Sequence, residues 1–241
     1  MSSQQALMDF LIYSYFKIIP KAIYGDSREP DYSTYRIKKA IMKAYEDATN
    51  EGAYNTLFKK TIEAGKLKQL KSASERAKND SAEFLFSQIQ KLSALASNYE
   101  EWHKNTCEEL CKKYSEVCLN ENEPFFTYGN AQKWVNMTMK YLWLLDRLPE
   151  GLTAKSLHVP IDSFILEKLR EENVDEIRRD GDTYKYKGKS WSQLDDYDVY
   201  LDIQTKIGQI AGKTFPIEWE GPVWIKVAQN RETRKKEQER K

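Results

Sequence analysis

The chain has 241 residues, 40% of them hydrophobic and 31% charged, with only 10 Gly and 7 Pro. So few turn residues argue against a sandwich or barrel, while Phe (9), Trp (6) and Tyr (15) restore core mass that the aliphatic content withholds. A net charge of +1 carries no global nucleic-acid signal, but residues 55–80 hold a basic excess and residues 171–202 an acidic one. Two solvated helix faces explain that imbalance; so does one flank that holds phosphate.

In chain order, residues 3–19 read as an aromatic-rich helix stopped by Pro20. Asp9, Lys17 and Pro20 interrupt its apolar run too soon for the ~20 residues of a membrane span. It also lacks a basic n-region and a cleavage site of small residues, so a cytoplasmic home is expected. The odd count of three cysteines does not make a disulfide framework. A second helix, 32–48, opens at Asp31. A polar tract, 59–80, leads into a long amphipathic pattern over 81–118, with Phe84, Phe86, Ile89, Leu92, Leu95, Tyr99 and Trp102 near helical spacing. After a break at 120–124, residues 129–148 are apolar almost all round and predict a central helix. Pro160 suits the first turn of another helix. The two glycines and alternation within 178–189 predict a short β-hairpin. Ser190-Trp-Ser-Gln fits a capping box for a helix over 191–210, closed by Gly212. A last helix covers about 217–229, and 231–241 read as a charged, flexible tail. The expectation is an all-α protein of one domain, 1–230, in two lobes (1–120 and 121–230), with that hairpin as its only sheet.

The chemistry-bearing constellations are few. There is no Walker loop, no G-x-G-x-x-G, no H-E-x-x-H and no G-x-S-x-G. His103, Cys107, Cys111 and Cys118 fit one helix face and could ligate zinc. Cysteine is also a common core residue, and no metal is assigned. Lys133, Asn136 and Lys140 share one face of the apolar helix, because seven residues are two turns. A desolvated amine with a second cation nearby loses protons more readily and becomes nucleophilic; lysines snorkelling at the rim of a core helix would have the same spacing. Pro160 at the first helical position would put Asp162 at the third, where its carboxylate meets the positive end of the helix dipole. That is a structural role, and equally a way to fix an anion beside a cationic centre.

These blocks resemble the helix-hairpin-helix DNA glycosylases, and most closely the archaeal-type 8-oxoguanine DNA glycosylase branch. The pattern of that branch is a Lys, a second Lys seven residues on, Ile-Pro-Val-Asp, and a C-terminal Pro-Leu-x-Leu-Asp-x-x-x-Trp. Here the corresponding residues are Lys133, Lys140, Val159-Pro-Ile-Asp162 and Pro216-Ile-Glu-Trp-Glu220-Gly-Pro-Val-Trp224. Glu220 stands where the family commonly has Asp, and the Leu-Pro-Gly-Val-Gly hairpin is absent. The resemblance implies a helical glycosylase-like fold and a bifunctional glycosylase/lyase acting on double-stranded DNA with a modified, flipped base. Lys133 would be the nucleophile and Asp162 its carboxylate partner. Gly129, Asn130, Gln132, Lys140, Trp219 and Glu220 are the candidate DNA- and base-binding residues, with free N–H groups after Gly129 as the phosphate site. Trp134 and Trp224 are further candidates for stacking on a flipped base. No cofactor is implied, and the expected enzyme is a monomer, nucleoid-associated in a bacterial or archaeal cell. The alternative is a non-catalytic member of the fold that binds DNA, a nucleotide or a protein partner.

Overall fold

The computed structural model describes residues 3–25, 31–49, 64–92, 98–115, 126–172, 174, 176–179, 182–185 and 190–240. The helices are α1 (Ser3–Phe16), α2 (Lys21–Tyr24), α3 (Tyr32–Thr49), α4 (Ala64–Leu92), α5 (Tyr99–Ser115), α6 (Tyr128–Leu144), α7 (Ser163–Glu171), α8 (Tyr197–Ala211) and α9 (Pro216–Glu239). The all-α expectation is met. Two short antiparallel strands, β1 (Glu176–Arg179) and β2 (Asp182–Lys185), form a hairpin that begins two residues before the expected 178–189 span, with Ile177 opposite Tyr184. No helix among the described residues is long and apolar enough to cross a membrane.

Helix α6 is the axis of the molecule. Its Ala131, Trp134, Val135, Asn136, Thr138, Met139 and Leu142 are buried, as its all-round apolar pattern predicts. It packs on α3 and on α5. The Trp134 indole donates to the Ile41 carbonyl at 2.9 Å and meets Tyr45 edge-on, which ties α6 to α3. One core runs from Phe16 through Ile41, Leu85 and Leu110 to Ile203 and Ile217, so both predicted lobes share it. Helix α1 turns Ile12 and Phe16 inward and leaves Leu7, Phe10 and Leu11 exposed.

Several boundaries differ from the sequence reading. Helix α1 stops at Phe16, because Lys17 adopts a left-handed φ of 55° three residues before Pro20. The 81–118 pattern is two helices, α4 and α5, and α4 begins inside the polar tract, at Ala64. Of the basic residues in that tract, Lys59 and Lys60 lie outside the described residues, while Lys78 pairs with Glu75 at 2.9 Å.

Ser190 does make a capping box, but for a single 3-10 turn, Trp191–Gln193; α8 is opened instead by Asp196, which accepts from the amides of Asp198 and Val199. Gly212 closes α8 with φ 63°, as expected. The charged tail is helical to Glu239, because Arg231 and Arg234 form ion pairs with Glu167 of α7.

Candidate active site

Pro160 lies before α7, not in it. Residues 159–161 lie outside any helix or strand, between extended backbone at Leu157 and Asp162, and Asp162 is the N-cap, its Oδ1 accepting from the amides of Phe164 (2.9 Å) and Ile165 (3.1 Å). A carboxylate at that position satisfies orphan N–H groups and faces the positive end of the dipole. Its Oδ2 accepts from the Trp224 indole at 3.2 Å and faces the Lys133 amine at 3.7 Å. The predicted pair therefore meets, and only 13% of each side chain is exposed.

The Lys133 amine also lies 4.5 Å from the centre of the Trp191 ring. Burial lowers its pKa below the usual lysine value, and Asp162, Asp47 and Glu220 oppose that shift. Removing water disfavours the ammonium form, while the carboxylates favour it. Two turns along α6, Lys140 forms an ion pair with Glu220 of α9. Burial raises the Glu220 pKa against the pull of the Lys140 ammonium. Lys133 and Lys140 thus lie along one face of α6, the first meeting Asp162 and the second Glu220 of α9, while Trp224 of α9 bonds Asp162.

Phe164 stacks on Trp224 with ring centres 4.4 Å apart, and the Arg231 guanidinium lies 4.0 Å over Phe164. Arg231 also donates to the Ser163 carbonyl at 2.9 Å, bracing the first turn of α7. The stack leaves Trp224 38% exposed beside a buried amine, an arrangement that suits a planar ligand.

Other predicted residues are not part of this site. The Gly129 amide is no phosphate donor, since it donates to the Leu194 carbonyl at 2.6 Å. Asn130 is consumed by capping: Thr127 accepts from its amide, and its Oδ1 accepts from the Thr127 amide at 3.2 Å. Gln132 is fully buried and bonded to backbone, leaving no group for a base. Trp219 packs on the core, and Trp134 is buried inside it. Asn136 faces a buried network behind this site, its Oδ1 pairing with His103 Nε2 at 2.9 Å and its Nδ2 donating to the Tyr200 hydroxyl at 2.9 Å. In the same network His103 contacts the Cys107 thiol, and no group of three His, Cys, Asp or Glu among the described residues could hold a metal ion. Cys118 lies outside the described residues.

Trp191, Phe164, Asp47 and Arg231 were not found from sequence. Trp191 had a signal, the capping box around it, but that motif predicts a helix start and says nothing about where the indole goes. Gly129 is explained here too: a Cβ on it would lie 2.1 Å from the Trp191 carbonyl oxygen. The glycine lets the 190–194 turn close onto α6 and seat Trp191 against Lys133. No protein-family model, curated protein or solved structure matches the chain.

Proposed function

We propose that the protein is a bifunctional DNA glycosylase/lyase that removes a modified base from duplex DNA through a Schiff base on Lys133. The observation that carries this reading is the meeting of a desolvated Lys133 amine with the immobilised Asp162 carboxylate, at 3.7 Å. In the reaction, neutral Lys133 attacks C1′ as the glycosidic bond breaks, and the base departs with the bonding electrons and takes up a proton. Asp162 stabilises the positive charge that develops on the sugar and accepts the proton released by the attacking amine. Ring opening gives an iminium at C1′. Loss of a C2′ proton then expels the 3′ phosphate, and water releases Lys133. The exposed Trp224 face beside Phe164 supplies a surface for a base turned out of the duplex.

Borohydride trapping tests this directly. The wild type should form a covalent adduct with duplexes containing an abasic site or the right modified base, and Lys133→Gln should form none while still binding DNA. Adduct formation by Lys133→Gln at the wild-type rate would refute the assignment.

A second reading is favoured by the closed start of α6, where the Gly129, Asn130 and Ala131 amides all donate within the protein. On it the fold binds DNA, a nucleotide or a protein without chemistry. Absence of any trapped adduct over a panel of modified duplexes, with binding retained, would select it.

A further inference from the structure

Asp162 is presented by a non-helical strap, residues 159–161, that would otherwise bury several backbone polar groups without partners. Buried N–H and C=O groups need hydrogen bonds, and a strap in a helical protein has no sheet to supply them. Two side-chain amides do so here. Gln132 of α6 donates through Nε2 to the Ile161 carbonyl at 2.9 Å and accepts through Oε1 from the Ile161 amide at 3.2 Å. Gln204 of α8 does the same at Val159, donating to its carbonyl at 2.7 Å and accepting from its amide at 3.0 Å. Asn136 adds a bond to the Val159 carbonyl at 3.2 Å, and Pro160 between the clamped residues has no N–H to satisfy. Gln132 is itself held, donating to the Gly129 carbonyl at 2.9 Å and accepting from Asn136 at 3.1 Å.

The sequence positions matter. Gln132 directly precedes Lys133, and Ile161 directly precedes Asp162. We infer that Gln132 and Gln204 are positioning residues: the Gln132 amide joins the residue before the amine to the residue before the carboxylate, the Gln204 amide anchors the strap from α8 at Val159, and together they set the Lys133–Asp162 geometry. This rests on the reading above that Lys133 is the reactive amine. Neither glutamine touches substrate. Gln132 thereby acquires a role in place of the base contact expected of it, and Gln204 enters the site for the first time.

The test separates positioning from simple stability by reading Lys133 alone. Gln132→Met and Gln204→Met keep side-chain length and remove both hydrogen-bonding groups. In each variant the pH of half-maximal acylation of Lys133 is measured on the intact protein without DNA, by peptide mass spectrometry, with Lys140 as the internal reference. The groups facing the Lys133 amine are Asp162 before α7, Glu220 of α9, Asp47 of α3 and the Trp191 ring. Only Asp162 hangs from the strap. Releasing it removes a carboxylate that favours the ammonium, so the Lys133 midpoint should fall by about one pH unit while that of Lys140 holds. An unchanged Lys133 midpoint in folded variants, or an equal shift at Lys140, overturns the inference. Hydrogen exchange on the wild type decides the matter if both variants unfold. The Val159 and Ile161 amides should be protected like those in the middle of α6, and exchange at the rate of an open loop would overturn the clamp. Trapping of the wild type on an abasic duplex is scored separately. Its failure would remove the glycosylase reading and leave the clamp result standing.

Discussion

Gly129→Ala sets two opposite effects against each other. Gly129 is a helical residue of α6, and on helix propensity alone alanine should stabilise the protein by about 1 kcal/mol. The added Cβ would lie 2.1 Å from the Trp191 carbonyl oxygen, 3.1 Å from its carbon and 3.3 Å from the Leu194 Cβ. Two of these three atoms are backbone, so the 190–194 turn must retreat by roughly 1 Å, and overpacking of this kind costs about 1–3 kcal/mol. The retreat also stretches the Gly129 N–H bond to Leu194 (2.6 Å) and the Thr127 hydroxyl bond to Ser192 (2.7 Å). Each such bond contributes about 1 kcal/mol net. The clash prevails, with a net loss of about 2 kcal/mol. At roughly 2–4 °C per kcal/mol for a chain of this size, Tm should fall by about 4–8 °C. Thermal unfolding followed by circular dichroism measures it. A Tm equal to or above the wild type would mean that the turn yields freely and that Gly129 does not seat Trp191.

Lys140→Met should lower stability by about 3 kcal/mol in denaturant unfolding, because it strands Glu220 beneath the surface, and adding Glu220→Met should recover most of the loss. Acid should destabilise the protein well before its surface carboxylates titrate. Burial lowers the His158 pKa to about 4 and that of His103 well below 6.5, so the unfolded chain binds protons between pH 6.5 and 4 that the folded state refuses. Stability should be full above pH 6.5 and fall towards pH 4, by about 3 kcal/mol from His158 alone, and His158→Gln should flatten the profile measured by urea midpoints. Arg231→Ala should lower Tm by a few degrees through lost stacking on Phe164 and lost bonds to Ser163 and Glu167; deletion of 231–241 should do at least as much.

The Lys133–Asp162 pair was legible because Lys133 breaks a local rule, a lysine on a buried helix face, while Asp162, an ordinary acid at a helix start, stands out through the Val159-Pro-Ile-Asp162 block it belongs to. Their partners obey local rules and stay silent. Trp191 sits in a capping motif, Gln132 looks like an ordinary polar residue beside a lysine, and Arg231 lies in a run whose composition reads as tail. Hydrophobic periodicity located α6 but read 81–118 as one pattern, since a stripe of apolar residues can keep phase across two separate helices, here α4 and α5. Pro160 was misplaced for a related reason. Proline is favoured at a helix start and equally in a non-helical strap, and the choice fell to Gln132 and Gln204, far away in the chain. Free amides at Gly129 follow from helix geometry alone; the 190–194 turn takes the Gly129 amide and Thr127 takes those of Asn130 and Ala131.

The parts of the site are scattered along the chain. Lys133 stands on α6, Asp162 beyond the strap, Trp191 on a turn before α8, and Glu220 and Trp224 on α9. No local segment contains the whole. During synthesis Lys133 emerges before Asp162, Trp191 and α9, so the burial that lowers its pKa needs segments made later. A desolvated amine carries a hazard, since it condenses with any aldehyde it meets. On the reading of Lys133 as the nucleophile, the nascent chain would carry that amine hydrated until Asp162, Trp191 and α9 have closed around it.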